Sequence, residues 1–159
     1  MTWKRAVLTL SAICLALTTA TQCSDDKSTG SSGPEPFYPT DFRASYVQVR
    51  DCRFSSAHDG HNILVFADPE NAGAYVDGAY PLPVGSVLVK VLHTDPGCSE
   101  IAGFVSMRKG GAQTAPLSAD WSWQELDSRR KVMREGQLPS CIGCHTGCTE
   151  GRDFTCADP

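Results

Sequence analysis

No cluster of lysine and arginine and no acidic run marks this chain. Charged residues make up 20% of it and the net charge is −4, so neither a nucleic-acid surface nor an acidic tail organises it. Long apolar runs are equally scarce. The one at residues 6–17 has the length of a signal-peptide core and is too short to span a bilayer comfortably. The chain shows no internal repeat and no second CxxC. Methionine is sparse: past Met1 there are only Met107 and Met133.

What the chain does contain is cysteine. Eight in 159 residues point to an oxidising compartment, and the length suits one domain with a real core. Two of them fall in Cys141-Ile142-Gly143-Cys144-His145, which reads as a c-type haem attachment site. Two thiols at this spacing can each form a thioether with one vinyl group of a haem edge. The adjacent His145 then offers an imidazole nitrogen to the iron as proximal ligand. Haem c is attached outside the cytoplasm, in agreement with the cysteine count. Two other uses of the cluster stay in view. One is zinc held by Cys141, Cys144, His145 and Cys148, for which the adjacency of Cys144 and His145 is awkward. The other is plain disulfide pairing.

The N-terminus supplies the route of export. Lys4 and Arg5 precede the apolar run, small and polar residues follow it, and Cys23 comes next. This order predicts a signal peptide at residues 1–22, cleaved before a lipidated Cys23, and a protein of the periplasm or cell envelope. Gln22 is bulkier than the residue usual before such a cysteine, and cleavage after Ala20 to a soluble secreted protein is the alternative. Parity favours the lipid. With Cys14 removed and Cys141 and Cys144 on haem, five cysteines remain: Cys23, Cys52, Cys98, Cys148 and Cys156. Lipid on Cys23 leaves four for two disulfides. The expected pairs are Cys148 with Cys156 and Cys52 with Cys98, although four cysteines allow three connectivities. Residues 24–36 hold Ser, Gly, Asp and Pro but no large apolar side chain, and read as a flexible tether. The domain is expected over residues 37–159.

Along that domain, the apolar pattern predicts strands at 46–54, 86–93 and 101–108, and a strand or a short buried segment at 62–67. Asp68-Pro69 signals a short helix over 69–76, stopped by Asp77-Gly78. Trp121 and Trp123 share one strand face, suited to a core or a haem contact. Leu126, Val132 and Met133 lie near helical spacing and predict a short amphipathic helix over 126–135. Strand 86–93 is apolar on both faces except at Lys90, between Leu88 and Leu92. Either the amine reaches out to water or it faces a pocket, where desolvation would lower its pKa; the pattern alone favours the first. Only 14 residues follow His145, so the rest of a haem pocket must come from upstream strands. Neither Met107 nor Met133 sits in a recognisable ligand loop, which predicts an open distal iron site.

Four stretches together resemble the cytochrome P-460 family over about residues 46–154. They are Pro83-Val84-Gly85-Ser86-Val87-Leu88-Val89-Lys90, Val105-Ser106-Met107-Arg108-Lys109, Asp120-Trp121-Ser122-Trp123, and the Cys141–His145 motif with Asp153-Phe154 beyond it. The resemblance implies an α+β fold, mainly an antiparallel β-sheet with a few short packed helices. It implies one covalent haem c with His145 as proximal ligand. Members of that family oxidise hydroxylamine and some handle nitric oxide, with a lysine cross-linked to the porphyrin rim. The related cytochrome c-prime-beta proteins lack that lysine and bind gases. Lys90 is the candidate for the cross-linking, catalytic lysine. Lys109, beside a Gly-rich loop, is the fallback and is expected to be solvated. The family's distal carboxylate has no clear match: Asp95 and Glu100 read as surface charges. The expected partners are a small nitrogenous substrate or gas, a redox partner and the membrane through the lipid; a homodimer is compatible with the chain. A gas-binding protein without turnover and a lipid-anchored electron carrier are the alternatives to an enzyme.

Overall fold

Alternating β-branched and aromatic residues do form strands here, and the strands pair in chain order. The structure, a computed structural model, describes residues 33–148 and 151–156. The leader, Cys23 and most of the tether lie outside the described residues. Six strands, β1 (Val47–Phe54), β2 (Asn62–Ala67), β3 (Val87–His93), β4 (Ile101–Lys109), β5 (Trp121–Asp127) and β6 (Val132–Gly136), make one antiparallel sheet in the order β1-β2-β3-β4-β5-β6. Three short helices pack around it: α1 (Phe42–Ser45), α2 (Ala72–Val76) and α3 (Pro139–His145). The fold is thus α+β and mainly antiparallel sheet.

Both faces of the sheet are covered, which is why β3 is apolar on both sides. On one face Phe66, Val87, Val89, Val91, Phe104 and Leu126 pack against Tyr38 and Phe42 of the N-terminal segment. The Phe42 ring meets those of Tyr38 and Phe66 edge-on, with centroids 4.9 and 5.3 Å away. Burying each such side chain contributes about 1.5–3 kcal/mol. The fully buried Gln124 fastens this layer: its Oε1 accepts the Phe37 N–H at 2.8 Å and its Nε2 donates to the Glu35 carbonyl at 2.8 Å. Glu35 and Phe37 are thereby tied to the sheet. On the other face Ile63, Val65, Leu88, Met107, Trp121 and Trp123 form the second core, joined by Tyr75, Leu82, Leu138 and Phe154.

Two local expectations are corrected. The helix after Asp68 begins at Ala72, not at Pro69. Asp68 instead caps a turn, its Oδ1 accepting the Asn71 N–H at 3.1 Å while its Oδ2 takes the Val87 N–H at 2.8 Å. Residues 126–135 are the end of β5, a turn and β6, not a helix. Asp127 Oδ1 accepts the N–H groups of Arg129 and Lys131 at 2.9 Å, and Arg130 adopts φ +67. That side-chain turn reverses the chain and lets β6 pair with β5, overriding the helical spacing of Leu126, Val132 and Met133.

Disulfides join Cys52 to Cys98 and Cys148 to Cys156. The first ties β1 to the β3–β4 turn across 46 residues. Replacing Cys52 and Cys98 together by serine is expected to cost up to about 4 kcal/mol, the loop-closure figure for this span. The check is a lower urea midpoint for the double variant than for the parent.

Candidate functional site

Pro139 opens α3 at its first helical position, where the missing N–H costs nothing, and Leu138 and Ile142 hold the helix against the second core. Helical spacing then decides where the motif points. Cys141 and Cys144 stand three apart and His145 one further, so all three side chains share one face of α3. That face borders a cavity of about 650 Å³, within the range of cofactor pockets. A hollow of about 900 Å³ between residues 33–40 and 129–132 is larger, but no cysteine or histidine lines it.

The sheet supplies the opposite wall. Strand register sets Val65, Lys90, Val105, Glu125 and Arg134 in one row across β2 to β6, all on the face toward α3. Lys90 faces the cavity it shares with Cys141, Cys144 and His145. Its Nζ lies 2.9 Å from Nε2 of His58, carried by the β1–β2 loop. Burial pulls the Lys90 pKa down to about 8, against the opposing pull of Cys141. Burial, and then the Lys90 charge, push His58 down to about 3, so its neutral ring accepts a hydrogen bond from the amine. In the Cys141→Ser/Cys144→Ser protein, which also loses the opposing pull of Cys141, the Lys90 amine should titrate no higher than about 8 rather than at the ordinary 10.5. The sign follows from burial, which disfavours the ammonium. Acetylation of each lysine, followed by peptide mass spectrometry across the alkaline range, should show Lys90 reacting well before the exposed lysines. An onset in step with theirs would contradict it.

His145 is 5% exposed, and its Nδ1 lies 2.5 Å from the Phe154 carbonyl oxygen. A carbonyl only accepts, so Nδ1 carries the proton and Nε2 keeps its lone pair. Burial lowers the His145 pKa to about 4, with Lys90 adding to the shift and the Phe154 hydrogen bond opposing it. The ring is therefore neutral. Trp123 packs edge-on to it, centroids 5.7 Å apart. Glu125 is paired with Arg134, whose Nε donates to Oε2 at 2.7 Å. The Cys141 thiol lies 3.8 Å from Glu125 Oε1, and burial followed by that carboxylate pushes the thiol pKa up.

The residues present fit a covalent haem. Cys141 and Cys144 are free thiols beside the cavity, and His145 presents an unprotonated Nε2. The buried Trp123 Nε1–H has no partner among the described residues, and a group with an acceptor could satisfy it. The zinc arrangement fits less well. Its fourth member, Cys148, is bonded to Cys156, and among the described residues no group of three or more His, Cys, Asp or Glu side chains is set to hold a metal ion.

Lys109 is the clear correction. It is not solvated but 8% exposed, with its Nζ 2.5 Å from Asp153 Oδ1. Asp95 is half-buried and Glu100 exposed, and both make turn hydrogen bonds: Asp95 accepts the N–H groups of Gly97, Ser99 and Glu100, and Glu100 accepts from Thr94 Oγ1. Met107 is core and Met133 is exposed on β6. Sequence reasoning missed Glu125, Arg134 and His58. Glu125 had a signal, since it continues the alternation of Trp121 and Trp123 toward the same face. The expected helix cut that strand short. His58 had none. No family model matches the chain, and no curated protein does.

Proposed function

We propose that this chain is an exported c-type mono-haem protein of the cytochrome P-460 type, with an open distal iron site, that oxidises hydroxylamine or handles nitric oxide. One observation carries the reading. Two free thiols and a neutral imidazole, with Nδ1 committed to a carbonyl, face one cavity that also holds the half-buried Lys90. Cys141 and Cys144 would hold the haem by thioethers and His145 Nε2 would be its iron ligand. When bound, the haem supplies iron that can accept electrons from a small nitrogenous molecule and pass them to a redox partner. The Phe154 carbonyl and the Trp123 ring keep the imidazole oriented. Lys90 is a nucleophilic amine near neutrality, suited to a bond with the macrocycle rim. Glu125, steadied by Arg134, is a carboxylate on the same wall able to take up a proton from an N–H or O–H substrate. Lipidation of Cys23 is part of the proposal, because the two disulfides and the two motif thiols account for the other cysteines past the leader.

The test is a ferric and dithionite-reduced absorption spectrum of protein matured in a periplasm, with its intact mass. One covalent haem and a ferrous Soret band far to the red of ordinary haem c are expected. An ordinary haem c spectrum would keep the cytochrome and discard the lysine link, turning the reading to gas binding or electron transfer. No covalent haem would overturn it.

A further inference from the structure

The segment that supplies the carbonyl to His145 is held in an unusual way. Asp153 and Phe154 are consecutive non-glycine residues with φ +47 and +63. Side chains disfavour that region, and a pair of them persists only where the surroundings over-determine it. Here they do. Asp153 Oδ1 lies 2.5 Å from Lys109 Nζ, its Oδ2 accepts the Leu82 N–H at 2.9 Å, and its carbonyl accepts Trp121 Nε1–H at 2.8 Å. The Thr155 N–H closes the turn onto the Arg152 carbonyl at 2.8 Å. The Cys148–Cys156 disulfide ties the far end to the 3-10 turn (Thr146–Cys148) that follows α3. Lys109 is buried at the end of β4, its ammonium 5.1 Å from the Trp121 ring centroid.

We propose that Lys109 and Asp153 are positioning residues for the proximal imidazole: their ion pair holds the left-handed turn so that the Phe154 carbonyl accepts the Nδ1 proton of His145. A buried ion pair is weak evidence for stability, and its use here is to select one geometry. Neither residue touches the iron ligand. Asp153 is next in sequence to the residue whose carbonyl does, and Lys109 grips Asp153 from a strand 44 residues away. Fixing that carbonyl holds the ring in one tautomer and makes Nε2 a stronger donor. The effect on the ring stands on this geometry; the effect on iron rests on the haem reading above.

The variants are Lys109→Met, which keeps length and drops the charge, and Asp153→Asn, which keeps shape and tolerates the left-handed backbone. Lys109→Arg is the conservative control. Two readouts separate the clamp from the haem. In full-length protein matured in a periplasm, the ferrous iron–histidine stretch should move to lower wavenumber and the midpoint potential should rise in Lys109→Met and Asp153→Asn. Lys109→Arg should recover part of both. In the Cys141→Ser/Cys144→Ser background, which carries no thioether-bound haem, nitrogen NMR should find His145 as the Nδ1–H tautomer. Adding either clamp variant should give a mixture with Nε2–H. Unchanged stretch, potential and tautomer in folded variants would overturn the proposal. Should Lys109→Met fail to fold, Asp153→Asn decides on the same signals. Absence of haem from the parent would sink the haem reading, and the NMR arm alone would then sustain or overturn the clamp.

Discussion

On the haem reading proposed above, replacing Cys141 and Cys144 together by serine should strip the protein of the thioether-bound chromophore. The intact mass should fall by one haem and the Soret absorption should vanish, a complete loss rather than a graded one. Each single replacement should leave one thioether. His145→Ala should keep the haem mass while changing the ligation, because the thiols and the imidazole act on different parts of the group. The double variant should also melt lower, since a haem seated in the cavity buries apolar surface against its walls only in the folded chain. Loss of mass together with loss of colour is the informative pair. Colour that survives both serines and Lys90→Met together would mean a haem held without any of these bonds and would refute the assignment of the motif.

The second large effect belongs to Lys90. Lys90→Met should return the ferrous Soret band to that of an ordinary haem c and lower hydroxylamine turnover by at least about 100-fold, the lower range for removing a positioned catalytic group. Lys90→Arg separates a covalent role from an electrostatic one. A guanidinium stays protonated and is no nucleophile, so it restores charge but not a bond. Turnover recovered in Lys90→Arg would refute the cross-link. Unfolding does not explain the expected loss. The amine is pushed down to about 8 by burial, so the folded state disfavours its charged form. Folded and unfolded pKa values then differ between about 8 and 10.5, and stability tied to this group rises with pH through that window. In the Cys141→Ser/Cys144→Ser background, where the amine is free, removing it relieves the penalty present below that window, and adding Lys90→Met should melt no lower than that background.

Much of this arrangement was legible in local pattern. The alternation of β3 put Lys90 on the face of Leu88 and Leu92 but favoured an amine reaching out to water; register against Val65 and Val105 turns that face toward the cavity. The spacing of Cys141, Cys144 and His145 sets them on one side wherever that stretch is helical, and α3 makes it helical. The stretch at 126–135 shows the limit. Leu126, Val132 and Met133 satisfy a helical period, yet one Asp127 side chain bonded to two backbone N–H groups turns the chain back into a hairpin. Period and turn chemistry competed there, and the turn prevailed because pairing with β5 satisfies the backbone of β6.

By itself, then, the amino-acid order determined the chemistry available: two thiols and an imidazole at haem-attachment spacing, a lysine on an otherwise apolar strand, and cysteines for two disulfides. These are short-range properties, carried by neighbours in the chain and by the period of a strand or helix. Only the tertiary structure decided what meets what. It brought His58 to Lys90 across 32 residues, aligned Glu125 with that lysine through the register of two further strands, and closed Lys109 on Asp153 so that a left-handed turn offers its carbonyl to His145. Those contacts depend on strand order and on backbone conformations that side-chain periodicity does not encode, and they become available only when both faces of the sheet are covered.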